Sequence, residues 1–145
     1  MPIEFTERCK GINRVLVIAK NIDDYRFGGF TMTSFDKTYE FDCDDGFKIK
    51  DEYKKDKNAF IFSLDLKKIY NVLKIDQAIC NDDNTNNIVD FTGGFSLYIT
   101  KDRPIGFAHH YVKGNNYEPP KYDNEMTGGV SGDVQVLEIE IYQII

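Results

Sequence analysis

The acidic run EFDCDDGFKIKDE at Glu40–Glu52 is the nearest match to a metal site in this sequence. In the register that puts Gly46 at the sixth position of a calcium-binding loop and Glu52 at the twelfth, Phe41 and Cys43 fall at positions one and three. Oxygen ligands are required there. His109 and His110 are adjacent, so on a strand they point to opposite faces and cannot chelate one ion together. Ser63 lies inside AFIFSL with no G-x-S-x-G elbow around it, which reads as a strand hydroxyl rather than an activated nucleophile. Glu138 and Glu140 share one strand face; a carboxylate pair can serve acid–base chemistry, but this pair fits the solvent face of an amphipathic strand. The pairs Gly28-Gly29 and Gly93-Gly94 form neither G-x-G-x-x-G nor a phosphate-cradling loop before Lys and Ser or Thr. The residues therefore predict no catalytic, metal or cofactor site.

Composition narrows the partners. The 145 residues carry 24 acidic and 18 basic side chains, a net charge of −6. Such a chain has no general electrostatic attraction to nucleic acid or to an anionic membrane surface. No stretch approaches the roughly 20 apolar residues of a membrane-spanning helix, and MPIEFTERCKG lacks a basic segment followed by an apolar one. Cys9, Cys43 and Cys80 are far apart and odd in number, which suits a reducing compartment. They read as buried or idle thiols unless one is exposed and activated. A soluble, cytoplasmic protein without membrane insertion is expected.

The elements that must position these residues are mostly strands. Aromatic residues make up 14% of the chain, with 11 Phe and 9 Tyr, and such side chains fit a pleated, half-buried surface. RVLVIAK at Arg14–Lys20, the turn residues of Asn21–Asp24 and Tyr25–Phe35 read as an antiparallel hairpin. Gly28 and Gly29 inside its second strand mark a bulge, a bend or a close backbone approach. Glu40–Lys57 reads as a solvated charged loop, and Ala59–Leu64 as a central strand buried on both faces. Residues 65–75 are ambiguous. Leu66, Ile69, Tyr70 and Leu73 recur at helical spacing behind Asp65, yet KIYNVLKI also reads as a strand before QAIC at Gln77–Cys80. NDDNTNN at Asn81–Asn87 is a surface turn, GGFSLYIT at Gly93–Thr100 and GFAHHY at Gly106–Tyr111 are strand material, and a long loop runs from there through Gly132. Leu137, Ile139 and Ile141 alternate with Glu138 and Glu140, the period of a terminal strand with one face inward.

Taken in order and spacing, FTERCKG at Phe5–Gly11, FGGFT at Phe27–Thr31, DKNAFIFSL at Asp56–Leu64, GGFSLYI at Gly93–Ile99 and the terminal LEIEIYQI resemble the TLDc domain of the oxidation-resistance proteins. The resemblance spans nearly the whole chain and rests structurally on Gly28, Gly29, Phe30, Phe60, Phe62, Gly93, Gly94, Leu97 and Glu140. It implies one domain over residues 1–145 with a mainly β fold: two antiparallel sheets packed as a sandwich, with a few short helices. It favours a strand at Lys68–Ile75. There are two departures. Phe35 stands where the family commonly has Trp, and the resemblance implies a further helical and strand segment ahead of FTERCKG that this sequence does not show, as expected of a fragment or of an N-terminally shortened member.

The resemblance further implies a non-catalytic protein-interaction module, acting in oxidative-stress protection and on subunits of the vacuolar proton-pumping ATPase, to which it would be recruited on organelle membranes. Two other readings stay open: a thiol-dependent antioxidant enzyme using Cys9, Cys43 or Cys80, and a sandwich that binds a small ligand or sugar. One chain does not separate contact residues from packing residues.

Overall fold

The computed structural model describes residues 11–35, 39–44, 46–49, 52–81, 87–98, 107–108, 116–129 and 134–145. Most of FTERCKG, the centre of NDDNTNN, and His109 and His110 lie outside the described residues.

The strands are β1 (Val15–Asn21), β2 (Arg26–Thr31), β3 (Tyr39–Asp42), β4 (Gly46–Ile49), β5 (Glu52–Lys54), β6 (Phe60–Ser63), β7 (Lys68–Asn71), β8 (Ile79–Asn81), β9 (Asn87–Phe91), β10 (Phe95–Tyr98), β11 (Phe107–Ala108) and β12 (Val134–Gln143). Short 3-10 turns occupy Ile75–Gln77 and Glu125–Thr127. Hydrogen bonding links ten strands in the order β5-β8-β9-β10-β11-β12-β1-β2-β6-β7, and β3 pairs with β4 alone.

The ladder folds over at β12. Val134 and Gln135 pair with β11, while the rest of β12 pairs with β1. Between Lys20↔Glu138 and Asn21↔Val136 the register slips, so Leu137 is the extra residue of a bulge. The slip changes which residues face the core. Val134 and Val136 are buried before it and Ile139 and Ile141 pack inward after it, whereas Leu137 is 42% exposed. The expected inward row of Leu137, Ile139 and Ile141 is corrected at its first member.

The result is two antiparallel sheets packed as a β-sandwich, β12-β1-β2-β6-β7 against β5-β8-β9-β10-β11 and the start of β12. Aromatic contacts between the sheets establish the packing. Phe27 of β2 meets Phe95 of β10 edge-on at 5.6 Å, and Phe95 stacks on Phe91 of β9 at 5.0 Å. Phe35 is buried against Phe91 at 5.7 Å. Burying each such ring contributes about 1.5–3 kcal/mol.

Glycine decides how close the sheets come. Both β1 and β6 keep unbroken register with β2 through Gly28 and Gly29, so of the three expected meanings only close approach holds. A Cβ on Gly29 would lie 2.5–2.8 Å from three carbons of the Phe91 ring. Gly93-Gly94 differs, since it forms the turn between β9 and β10 with Gly93 at φ +70°.

Two further expectations change. Glu40–Lys57 is not a loop, because it contains the hairpin β3–β4 and strand β5. Its charged residues alternate with Tyr39, Phe41, Phe47 and Ile49, so a period of two underlies the charge. An α-helix is excluded for residues 65–75. Ser63 Oγ accepts the Leu66 N–H at 3.1 Å, Lys67 takes φ +53°, and the chain turns back into β7. The strand favoured at Lys68–Ile75 therefore ends at Asn71. The described part of the long loop before β12, residues 116–129, packs inward, with Tyr117, Asn124, Glu125, Met126 and Thr127 buried. The expected first hairpin is present and its turn has a cause: buried Asn21 accepts the Asp23 and Tyr25 N–H groups through Oδ1 and donates through Nδ2 to the Thr127 carbonyl.

Candidate interaction surface

Residues directly opposite on adjacent strands point to the same face of a sheet. On the outer face of β12-β1-β2-β6-β7 this puts Tyr142, Leu16, Phe30 and Phe60 in one row, and Glu140, Ile18, Gly28, Phe62 and Ile69 in the next. The third row is charged: Glu138, Lys20 and Arg26. Phe30 and Phe60 stack at 5.4 Å, and the Phe62 ring lies over Gly28, 2.8 Å from where a Cβ would stand.

No element of the described chain closes this face. Leu16, Ile18 and Phe60 are only partly covered, Leu64 is 48% exposed and Ile69 59% exposed. They border a concavity of about 500 Å³ lined by Leu16, Ile18, Phe60, Phe62, Leu64 and Ile69, with Lys67 and parts of Ser63 and Lys68 beside them; in register Ser63 and Lys68 stand opposite Phe27, on the inner side of the sheet. Exposed apolar side chains gathered around one concavity make a candidate contact site.

The inner side of β7 is tied to the loop before β12. Lys68 Nζ donates to Glu125 Oε1 at 2.5 Å, the Tyr70 hydroxyl donates to Oε2 at 2.8 Å, and the Lys121 N–H also donates to Oε2, at 3.0 Å. Burial alone would raise the Glu125 pKa, but the hydrogen bonds from Lys68, Tyr70 and Lys121 outweigh it and hold the carboxyl below its ordinary value. The Tyr70 phenol is driven upward, by burial first and then by Glu125. At neutral pH Glu125 is thus an ionised acceptor with no proton to give. It ties the loop of residues 116–129 to β7.

That loop also covers an edge. Val72 bridges to Tyr117, the Glu118 N–H donates to the Asn71 carbonyl, and the Asn71 N–H donates to Glu118 Oε1. The Tyr117 hydroxyl donates to the Ala78 carbonyl at 2.8 Å, and burial pushes its pKa up.

The other buried groups of catalytic type have structural duties. Asp56 Oδ2 accepts the Thr31 hydroxyl at 2.6 Å and the Met32 N–H at 2.7 Å, while Oδ1 accepts the Asn58 N–H at 2.9 Å. A shallow cleft of about 360 Å³ adjoins it, lined by Gly11, Asn13, Met32, Thr33, Ser34, Lys55 and Asp56. Ser63 is buried with its hydroxyl oxygen on the β6–β7 turn. Glu138 and Glu140 are exposed; Glu138 lies 4.0 Å from Lys20, and Glu140 accepts the Tyr142 hydroxyl at 2.6 Å. Cys43 is exposed in the β3–β4 turn and Cys80 is half-buried in β8.

The structure divides the motif residues. Gly28, Phe30, Phe60, Phe62 and Glu140 share the outer face. Gly29, Gly94 and Leu97 are in the core, and Gly93 is at an exposed turn. Leu16, Ile18 and Leu64 were not singled out from sequence, and Ile69 only as part of the stretch that reads as helix or strand. A signal existed: VLVI is apolar at both parities, so β1 presents an apolar row outward as well as inward.

Among the described residues, no group of three or more His, Cys, Asp or Glu is placed to hold a metal ion. No helix among them is long and apolar enough to cross a membrane.

Fold and surface together define a two-sheet antiparallel β-sandwich with one apolar outer face. The family model of the TLDc domain matches residues 3–145, and the chain belongs to that family. Among curated proteins, none matches it.

Proposed function

We propose that this chain is a non-catalytic docking module, acting in oxidative-stress protection through contact with the vacuolar proton-pumping ATPase, to which it is recruited from the cytoplasm. Membership of the TLDc family supports the partner class. The observation that carries the reading is the open apolar face around Leu64 and Ile69, where exposed side chains gather around one concavity as they do at contact sites. The hydrogen-bonded state of Asp56, Ser63 and Glu125 supports the absence of an enzymatic role, because each is engaged in holding a turn or loop.

Capture from a lysate of its own cells on immobilised chain tests the reading. Pump subunits are expected in the eluate. Their absence, with no other specific partner retained, would count against it.

A further inference from the structure

We propose that the free border of β12, from Glu138 to Gln143, takes up an extended segment of a partner protein as an added antiparallel strand, with basic residues of that segment against Glu138 and Glu140. This goes beyond the docking reading above, since it concerns the border of the sheet and is independent of the concavity around Ile69.

The backbone specifies a strand. Val134 and Gln135 pair with β11, but from Glu138 onward β12 pairs only with β1, so among the described residues nothing is hydrogen-bonded to its other side. The Ile144 N–H donates to the Arg14 carbonyl at 2.8 Å, and backbone groups alternate in direction along an antiparallel strand. Glu138, Glu140 and Tyr142 therefore turn theirs to β1, while Ile139, Ile141 and Gln143 turn theirs to the free border. A row of donors and acceptors at strand spacing is matched by another strand and not by a helix, whose own groups are already paired internally. Antiparallel addition continues the pattern of every other pairing in the described sheets. The two remaining borders differ. At β7, Asn71 and Val72 already pair with Glu118 and Tyr117, and β5 is only three residues long. Along Glu138–Gln143 there is no proline or lysine to discourage pairing, and the bulge at Leu137 lies ahead of it.

Side chains specify the composition. Ile139 and Ile141 pack on the inner side and are only partly covered, at the rim of the core. An added strand with apolar residues at alternate positions would continue the inner layer over them. Glu138 and Glu140 stand exposed on the outer side. Glu138 shares Lys20 with Asp24, at 4.0 and 3.4 Å, and Glu140 accepts the Tyr142 hydroxyl with no cation beside it among the described residues. Lys or Arg at the intervening positions of the added strand would supply the missing positive charge. A second copy of this chain is a poor occupant. Joining two chains through β12 would gather Glu138 and Glu140 of both on one face, and each chain already carries −6.

The test is binding of an acetylated and amidated peptide of alternating valine and lysine, about eight residues long, to the full chain, followed by fluorescence anisotropy and by hydrogen exchange of the β12 amides. The peptide should bind, and the Ile139, Ile141 and Gln143 amides, which should exchange freely in the unbound chain, should become protected. In the antiparallel register the valines stand opposite Ile139 and Ile141 and make the backbone bonds to them. N-methylation of the valine amides should therefore weaken binding about tenfold or more, and N-methylation of the lysine amides should leave it nearly unchanged. The double variant Glu138→Lys, Glu140→Lys should lose affinity for the lysine peptide several-fold and bind a valine–glutamate peptide that wild type rejects. Both positions are exposed, so its circular dichroism should match wild type. Ile69→Asp should bind the lysine peptide as wild type does. No binding, no protection of the three amides, indifference to valine N-methylation, or equal binding of the glutamate peptide by wild type would overturn the proposal. So would loss of binding on Ile69→Asp, which would put the peptide on the sheet face, and protection of the same amides in the free chain at raised concentration, which would make the occupant a second copy.

Discussion

The two faces of β2 and β6 are built from the same residue types and have opposite fates. Inward, Phe27, Gly29 and Ile61 meet Phe91, Phe95 and Gly94 of the other sheet and are sealed from water. Outward, Phe30, Gly28, Phe60 and Phe62 form an equally apolar layer over which no described element packs; Gly28 and Phe62 are buried within it, and the exposure falls on their neighbours Leu64 and Ile69. Each glycine makes room for one ring, Gly29 for Phe91 and Gly28 for Phe62. The difference shows that residue type at these positions specifies an apolar layer, while the path of the rest of the chain decides whether that layer becomes core or surface.

The comparison breaks most readily at Phe91. It contacts Phe35, Phe95 and Tyr117 and is fully buried, so Phe91→Ala should cost about 3–5 kcal/mol in urea unfolding. A loss below about 1 kcal/mol would mean that the inner layer is not packed as described. Gly28→Ala comes next, because its Cβ would meet the Val17 carbonyl oxygen, which belongs to backbone and cannot rotate away. About 2–3 kcal/mol should be lost, and a neutral substitution would remove the close-approach account of this pair.

Glu125→Gln gives a smaller and pH-dependent effect. The folded carboxyl has the lower pKa, so its stabilisation is present above the unfolded value, near 4.5, and is lost as the pH falls through the folded one. Wild type should lead the variant by about 1–2 kcal/mol at neutral pH, and the gap should close in the acid range. A pH-independent gap would show that the charge of Glu125 does not hold the loop. Smallest of all, Ile69→Asp should change stability by no more than about 0.5 kcal/mol, which a melting curve checks. A large loss would place Ile69 in the core and dissolve the distinction between the faces.

Much of this fold was legible in the residues because local patterns agree with it. The β1–β2 hairpin, the central position of β6 and the sandwich class follow from β-branched runs, from the turn chemistry at Asn21–Asp24 and from the family motifs. What escaped depended on non-local facts. The charges of Glu40–Lys57 masked a period of two that only strand pairing makes evident. The bulge at Leu137 arises where β12 passes from one sheet to the other, a constraint that no local window of sequence contains. Glu125 looked like one more loop residue, since its partners Lys68 and Tyr70 lie more than fifty positions away. The apolar face itself was half legible, as VLVI and AFIFSL are apolar at both parities, but whether another layer covers them is decided elsewhere in the chain.

The account turns on whether the open face is where a partner binds. Capture from lysate on three immobilised proteins tests it directly: wild type, Ile69→Asp in the concavity, and Ile75→Asp at an exposed isoleucine outside it. Pump subunits should be retained by wild type and Ile75→Asp and lost from Ile69→Asp. Equal retention by all three, or retention by none, would contradict it.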